Sequence, residues 1–496
     1  MTHADPTPDE LWIGIDLGTQ SVRVLAVDGS GAVAGAGEHP LTSRRDGPRH
    51  EQDPEQWWTA LRAACGQALQ GLPAGAVRGV AVDATSGTVL LADPQGRPLT
   101  AALMYDDTRA GDLVEQVNQA GAPLWDTLGY QRMQPAWALP KLLWLLREHP
   151  DLRGSARLTH QTDLVNRRLV GHDVPTDLAS ALKTGADLVR EDWPTEVMDT
   201  LDVPPGTLPP LVRSGTMLGT VCQAAAAATG LPQGTPVLAG TTDGCAAQLG
   251  SGALSPGSWN SVLGTTLVLK GVTEQLLHDP SGAVYCHRSP DGRWLPGGAS
   301  STGAGALSRD FPSRDLADLD SRAADHEPAA ALAYPLVSDG ERFPFVARDA
   351  RPFLLDAGAG ETDRYAAMLQ GVAFVERLCF DHLDRLGAAT GGQLVLTGGA
   401  TRSRYWCQLR ADVLGRTITL VRSPEPALGA AVLAASDSRS LSDAAARMVR
   451  VRERIDPREG ATSRWDQTYL RLVGELRSRG WLPPATADHA QARTQR

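Results

Sequence analysis

Leu11–Asp28 reads LWIGIDLGTQSVRVLAVD, and the fold class turns on this stretch. Leu11 to Ile15 is a short apolar run of the kind that forms a buried strand. Asp16 ends the run, Gly18-Thr19-Gln20 make a turn, and Val22, Val24 and Leu25 carry a second strand. The pattern predicts a hairpin whose tip holds one carboxylate, one glycine and the hydroxyls of Thr19 and Ser21. Glycine lets backbone N–H groups come close to an anion, and hydroxyls add donors. A carboxylate beside an anion calls for a cation between them. Mg²⁺ fills that place in nucleotide sites, keeping several waters and taking one or two carboxylates. The tip therefore reads as a phosphate cradle with a metal-linked Asp16. An ordinary tight turn, in which Asp and Gly are common, is the competing reading.

Ser258–Lys270, SWNSVLGTTLVLK, repeats the design as strand, Gly264-Thr265-Thr266, strand. One such hairpin in each half predicts two related domains, each offering a phosphate loop to a shared cleft. The chain has no GxxxxGK[ST], and no GxGxxG leads from a strand into a helix, so this is not the P-loop design.

Other stretches add chemistry. Gly234–Gly252, GTPVLAGTTDGCAAQLGSG, reads as a strand at Pro236–Leu238, then Gly240-Thr241-Thr242-Asp243-Gly244, then a helix from Cys245. Asp243 at a strand end beside a helix start is unusual for a core residue and suits a catalytic one, although a simple helix cap is also common for Asp. Gln393–Ala400, QLVLTGGA, is a strand ending in Gly398-Gly399-Ala400, followed by a helix over Arg404–Leu414. Val77–Asp93 is strand, turn, strand, with a small polar tip at Thr85-Ser86-Gly87-Thr88. Met104–Arg109, MYDDTR, sets Asp106 and Asp107 near Arg109. Carboxylates accept from sugar hydroxyls and arginine donates, so the group suits hydroxyl recognition, against the plainer reading of a surface turn with a local ion pair.

IGIDLGTQSVR, the downstream GTTDG and the TGGA resemble, in order and spacing, the FGGY family of carbohydrate kinases, from about Leu11 to about Ala435. EQDPEQWW and the helical LPKLLWLLRE also resemble the family, the latter in part, with Ala136 and Ala138 leading it. The resemblance implies an α/β protein with two ribonuclease H-like domains of the actin and hexokinase superfamily around a central cleft. The expected division is 10–250 for the N-terminal domain, with sugar and phosphate loop, and 251–440 for the ATP-binding C-terminal domain. A helical extension at 441–482 and a loose tail at 483–496 follow, and residues 1–10 read as a disordered tag. By the same resemblance Asp243 is the general base. Gly18, Thr19 and Gln20, with Gly264, Thr265 and Thr266, hold the phosphates of ATP, and Asp16 reaches Mg²⁺. Gly398, Gly399, Ala400 and Ser403 take adenosine. Thr85, Ser86, Asp106 and Asp107 face the sugar together with Asp16 and Asp243. The chain departs from the family at Tyr105, where a tryptophan is usual, and at Ser403, where an asparagine is usual.

TSGTVLLAD, MYDDTRA, WLPGGASSTGAGAL and YPLVSDGERFPF resemble the shorter subgroup of plant and cyanobacterial D-ribulose kinases, with Ser301 standing where much of that subgroup has asparagine. The expected reaction is ATP-dependent phosphorylation of a ketopentose, D-ribulose to D-ribulose 5-phosphate. The alternatives are a D-xylulose kinase and a non-catalytic, actin-like protein that binds sugar or nucleotide. Asp243 favours a kinase, because only a kinase needs a base aimed at a hydroxyl. Phosphoryl transfer is mostly positioning and charge stabilisation, so the two phosphate loops are expected to close on each other.

Composition sets bounds. The 496 residues suffice for two domains or more, each with its own core. The formal net charge is −10 and no block of Lys and Arg stands out, which argues against a nucleic-acid partner. No apolar run reaches about 18 residues, so no membrane span is expected. Six cysteines show no CxxC pairing, which suits neither a zinc site nor a disulfide framework. The polar, acidic start MTHADPTPDE has no signal-peptide character. The expectation is a cytoplasmic monomer or homodimer acting on a small sugar.

Overall fold

The computed structural model describes residues 10–356, 360–437 and 440–495, so the expected N-terminal tag falls, apart from Glu10, outside the described residues. The chain forms two compact units. The first runs to Gly252 and takes in His287–Arg293 and Ser423–Arg450; the second holds Ala253–Cys286, Trp294–Arg422 and the described residues from Val451.

The first unit is built on a six-stranded sheet. Strand β1 is Leu11–Leu17, β2 is Ser21–Asp28, β3 is Val77–Ala84 and β4 is Pro236–Thr242. The order is Met217–Thr220, β4, β3, β1, β2, Val33–Pro40. β1 pairs antiparallel with β2, as a hairpin requires, and parallel with β3; β3 pairs parallel with β4. The central strands are apolar almost without interruption, the pattern of strands covered on both faces. β1 does not stop before Asp16 but carries it as its one incompletely buried residue. The Pro54–Ala68 helix begins as its sequence predicts, with Asp53 accepting from Glu55 N–H at 3.0 Å, Pro54 at the first position and Trp57 buried in the core.

The Pro426–Ala435 helix covers β1 and β3. Residues 427–435 are all buried, and their small side chains let the helix lie directly on the Asp243–Ser251 helix. A Cβ added at Gly429 would stand 1.8 Å from the carbonyl oxygen of Ala246. The division drawn at residue 440 from sequence thus differs from the packing, since Ser423–Arg450 returns to the first unit.

In the second unit, β5 is Trp259–Leu263, β6 is Leu267–Gly271, β7 is Trp294–Ala299 and β8 is Leu394–Thr397. β5 and β6 form the second hairpin, β6 pairs antiparallel with β7, and β5 pairs parallel with β8. β8 in turn pairs with Ile418–Val421, and that strand with Val451–Ile455. The expected helical extension therefore contains a strand. A fully buried ion pair ties this sheet to its helices: Arg410 donates to both oxygens of Glu376 at 2.7 and 2.8 Å and to Ser261 Oγ at 2.8 Å. The tail is not loose. Pro484–Thr494 is a helix with Thr486, Ala487 and Ala490 buried against the long Glu361–Arg385 helix, which the polar composition of the tail hides. Among the described residues no helix is long and apolar enough to cross a membrane.

At an open helical position, glycine to alanine gains about 1 kcal/mol. At Gly429 the added methyl meets backbone, so overpacking dominates, and G429A should instead destabilise the first unit by about 1–3 kcal/mol or more. Chemical denaturation gives the sign directly.

Candidate active site

In the first unit, three parallel strands end at one sheet edge, and each delivers a carboxylate there. The register sets Asp16 on β1 directly beside Asp83 on β3, and Asp83 beside Thr241 on β4. Asp243 follows β4 immediately as the first residue of its helix, two residues earlier than the sequence reading placed the helix start. Its Oδ1 accepts from Gly244 N–H at 2.6 Å. Ligands of open α/β sheets bind at the carboxyl ends of strands, and this edge is such a place.

Asp83 is 0% exposed, and neither of its oxygens has a hydrogen-bond donor from the protein. Burial first, then the charges of Asp16 and Asp243, push its pKa well above the usual carboxylate range. Asp16 is pushed up to about 7 by burial and by Asp243, against the pull of Arg23. Two facing carboxyls can bond only if one keeps a proton, and the deeper Asp83 keeps it. Sequence reading passed over Asp83. The available signal was a lone carboxylate inside the otherwise apolar strand VRGVAVDA.

The first hairpin tip forms as expected. Gly18 N–H donates to Ser21 O at 3.1 Å, Thr19 is half-buried and Gln20 is exposed. Gln52 braces the tip from behind. Its amide donates to Thr19 O at 2.7 Å and to Ser43 Oγ at 2.9 Å, and its oxygen accepts from Trp57 Nε1.

The Thr85–Thr88 tip leaves the same sheet edge directly after β3. Thr85 Oγ1 is turned inward, to Thr88 Oγ1 at 2.6 Å and Gln161 Oε1 at 2.7 Å, so it is not offered to a ligand as the sequence suggested. Ser86 Oγ is buried without a protein partner. Lys183 donates to Ser86 O at 3.0 Å. Lys141, 0% exposed, donates to Gly87 O at 3.0 Å and to Met104 O at 2.5 Å, linking this tip to the MYDDTR element; burial pulls its pKa down to about 7.

The two carboxylates of MYDDTR differ from the expectation in opposite degrees. Asp107 is completely buried and consumed internally, accepting from Arg109 Nε and Nη2 and from His50 N–H, while Arg109 also donates to Glu51. It shapes the element and has no face for a sugar. Asp106 pairs with Arg45 at 2.9 Å and with His50, which hold its pKa below the ordinary value although burial opposes them; it keeps a partly exposed edge.

In the second unit, Gly264, Thr265, Gly399, Ala400 and Ser403 line one cavity of about 460 Å³, with Asp320, Tyr365 and Trp406. Thr266 and Gly398 shape the turns without lining it. Ser403 Oγ accepts from Trp406 N–H at 3.0 Å and so caps the Arg404–Leu414 helix. Tyr365 O–H donates to Asp320 Oδ1 at 2.7 Å, which leaves a half-buried carboxylate on the cavity wall that sequence reading did not find.

The carboxylate cluster predicts a stability signature. With a raised folded pKa, Asp83 keeps its proton where the unfolded chain has lost it, so stability falls as pH rises above about 4. D83N removes the titrating group. Calorimetry should find D83N more stable than the parent at about pH 8, by roughly 1–3 kcal/mol, with the gain shrinking toward about pH 5. An equal difference at both pH values would mean that the cluster carries no such penalty.

Comparison with known proteins bears on the same residues. Residues 11–250 match the N-terminal domain, and residues 259–438 the C-terminal domain, of the FGGY family of carbohydrate kinases. The xylulose kinase of Escherichia coli (strain K12) is 30% identical over 442 residues, covering 86% of this chain and 89% of that protein. The xylulose kinase of Streptomyces coelicolor is 31% identical over 482 residues, covering 94% and 96%. The crystal structure of xylulose kinase from Rhodospirillum rubrum superposes with a TM-score of 0.85 at 26% identity, covering 95% of this chain and 99% of that one. With both domain matches spanning most of its length, the chain belongs to the FGGY family of carbohydrate kinases and is a sugar kinase.

Proposed function

We propose that this kinase transfers the γ-phosphoryl group of ATP to the terminal hydroxyl of a ketopentose. The observation that carries the reading is the position of Asp243, at the head of a helix on the sheet edge that also presents the Thr85–Thr88 tip. Asp243 accepts the proton of the attacking hydroxyl. Thr19 and Gln20 in the first unit, and Thr265 and Thr266 in the second, supply donors for the phosphates, while Gly18 and Gly264, whose N–H groups are bonded within the turns, keep the tips free of side chain. Gly398, Gly399, Ala400 and Ser403 border the place for adenosine; Ser403 Oγ accepts in the helix cap and keeps its O–H to donate. At the sugar end, Ser86 and the open edge of Asp106 are the polar groups left to meet hydroxyls.

The donor set fits Mg²⁺. Among the described residues no group of three His, Cys, Asp or Glu could hold an ion alone, whereas Mg²⁺ shared with phosphates needs only one or two carboxylates and waters. Asp16 would hold it, and when bound it would neutralise phosphate charge.

The names of the relatives make D-xylulose the first acceptor to test. D-Ribulose is the second, on two observations: the tip has a single small unpartnered hydroxyl, that of Ser86, and Tyr105, 40% exposed, stands where the family has tryptophan. The sugars differ at C3 in the direction of a single hydroxyl. A site that bonds a hydroxyl rejects its epimer by leaving a buried polar group unmet, so kcat/KM for the two should differ by about tenfold or more. A coupled assay over ketopentoses ranks them, and activity on neither would overturn the ketopentose reading.

D243N should still bind nucleotide and sugar but lose about 10²–10⁴-fold in kcat. Near-native turnover in that variant would reduce Asp243 to a helix residue.

A further inference from the structure

YPLVSDGERF, Tyr334–Phe343, supplies no residue of the site described above, yet it contains a carboxylate with four donors. Glu341 is 1% exposed. Its Oε1 accepts from Ser301 N–H at 2.7 Å and from its neighbour Arg342 N–H at 2.9 Å. Its Oε2 accepts from Ser300 Oγ at 3.0 Å and Tyr334 O–H at 2.8 Å. Burial pushes the pKa of Glu341 up and these hydrogen bonds pull it back.

Ser300 and Ser301 begin a strap that lies along the second phosphate loop. Ser300 N–H donates to Leu267 O at 2.9 Å, and Leu267 N–H to Thr302 O at 2.8 Å. Ala304 N–H donates to Gly264 O at 3.1 Å, and Gly305 N–H to Thr265 O at 3.0 Å. The contact is backbone on backbone: a Cβ at Gly303 would stand 2.3 Å from Thr265 O. Val337 N–H, from the loop that carries Glu341, donates to Ser301 O at 2.8 Å. The Gly264–Thr266 turn makes one internal backbone bond, Gly264 N–H to Thr266 O at 3.2 Å. Its shape is thus imposed by the strap, and the head of the strap is held by Glu341.

We propose that Glu341 is a positioning residue for the Gly264–Thr266 loop, fixing Ser300 and Ser301 so that the strap presents the loop to the phosphates of the nucleotide. The proposal rests on the reading of that loop as a phosphate loop. It separates variants of similar size. In E341Q the amide oxygen takes the two N–H donors, and the NH₂ faces two hydroxyls that can turn and accept. E341L leaves all four donors unmet.

The test uses the full chain, with calorimetric ADP affinity and separate KM values for ATP and sugar. E341L should weaken ADP binding and raise KM for ATP by about tenfold or more, with KM for sugar within about twofold. E341Q should restore ADP affinity to within about threefold of the parent. Y334F and S300A each remove one bond and should each raise KM for ATP by about threefold or more, and they decide the matter if E341L does not fold. Native ADP affinity in folded E341L, or in both Y334F and S300A, overturns the proposal. An equal rise in both KM values also overturns it, since that marks a general loss of structure. T265A separates the two levels. If T265A weakens ADP binding while the Glu341 variants do not, the phosphate loop stands and the positioning role falls. If T265A and E341L both leave ADP binding unchanged, the phosphate-loop reading falls and the proposal with it.

Discussion

Parallel pairing of β1 with β3 sets Asp16 beside Asp83, and the chemistry of the first unit depends on that register. A shift of one residue would turn one of the two carboxylates to the other face and set an apolar side chain beside its partner. The register is kept by nearly unbroken apolar strands and by a close-lying cover, the Pro426–Ala435 helix, whose small residues admit no slack. Two like charges are thereby forced together in a place where one must keep a proton. Folding alone has no use for such a pair, and strain of this kind collects at functional sites.

The two hairpin tips share a second constraint. Gly-Thr tips this poor in bulky side chains cannot brace themselves. In the first unit the brace is Gln52, whose amide reaches the Thr19 carbonyl and is itself held by Trp57. In the second it is the Ser300–Gly305 strap. Each brace comes from outside its hairpin and bonds to its backbone, Gln52 to the Thr19 carbonyl and the strap to the carbonyls of Gly264 and Thr265.

What was legible in the sequence was local. Both Gly-Thr hairpins, the strand before Asp243, the Asp53 cap and the helix after the Gly-Gly-Ala turn all depend on neighbours within a few residues, and all formed. What escaped depends on partners far along the chain. At Asp107 the local ion pair with Arg109 was legible, and what escaped was the N–H of His50, far back in the chain, which donates to the same carboxylate and completes its burial. The Ser423–Arg450 segment reads as part of the second domain until its alanines are seen packed on the first. The last helix reads as a polar tail because only three of its described residues, Thr486, Ala487 and Ala490, are buried, and its His489 and Arg493 meet the Glu361–Arg385 helix through Asp384 and Asp381. Asp83 was visible but unremarked, since an acid within an apolar strand acquires meaning only from the register that sets it beside Asp16.

The Thr85–Thr88 tip is held rigidly. Thr85 and Thr88 spend their hydroxyls on each other and on Gln161, and the carbonyls of Ser86 and Gly87 are held by Lys183 and Lys141. Little at this tip can rotate to suit a different hydroxyl. Lys141 joins Gly87 to Met104, so moving the tip for an ill-fitting epimer would also disturb the MYDDTR element and cost hydrogen bonds to a buried amine. If the acceptor is a ketopentose bound at this tip, as proposed, discrimination between C3 epimers comes from a rigid backbone with one unpartnered hydroxyl, Ser86, rather than from an adaptable side chain. A rigid site of this kind can prefer one epimer strongly, because it cannot repack around the other.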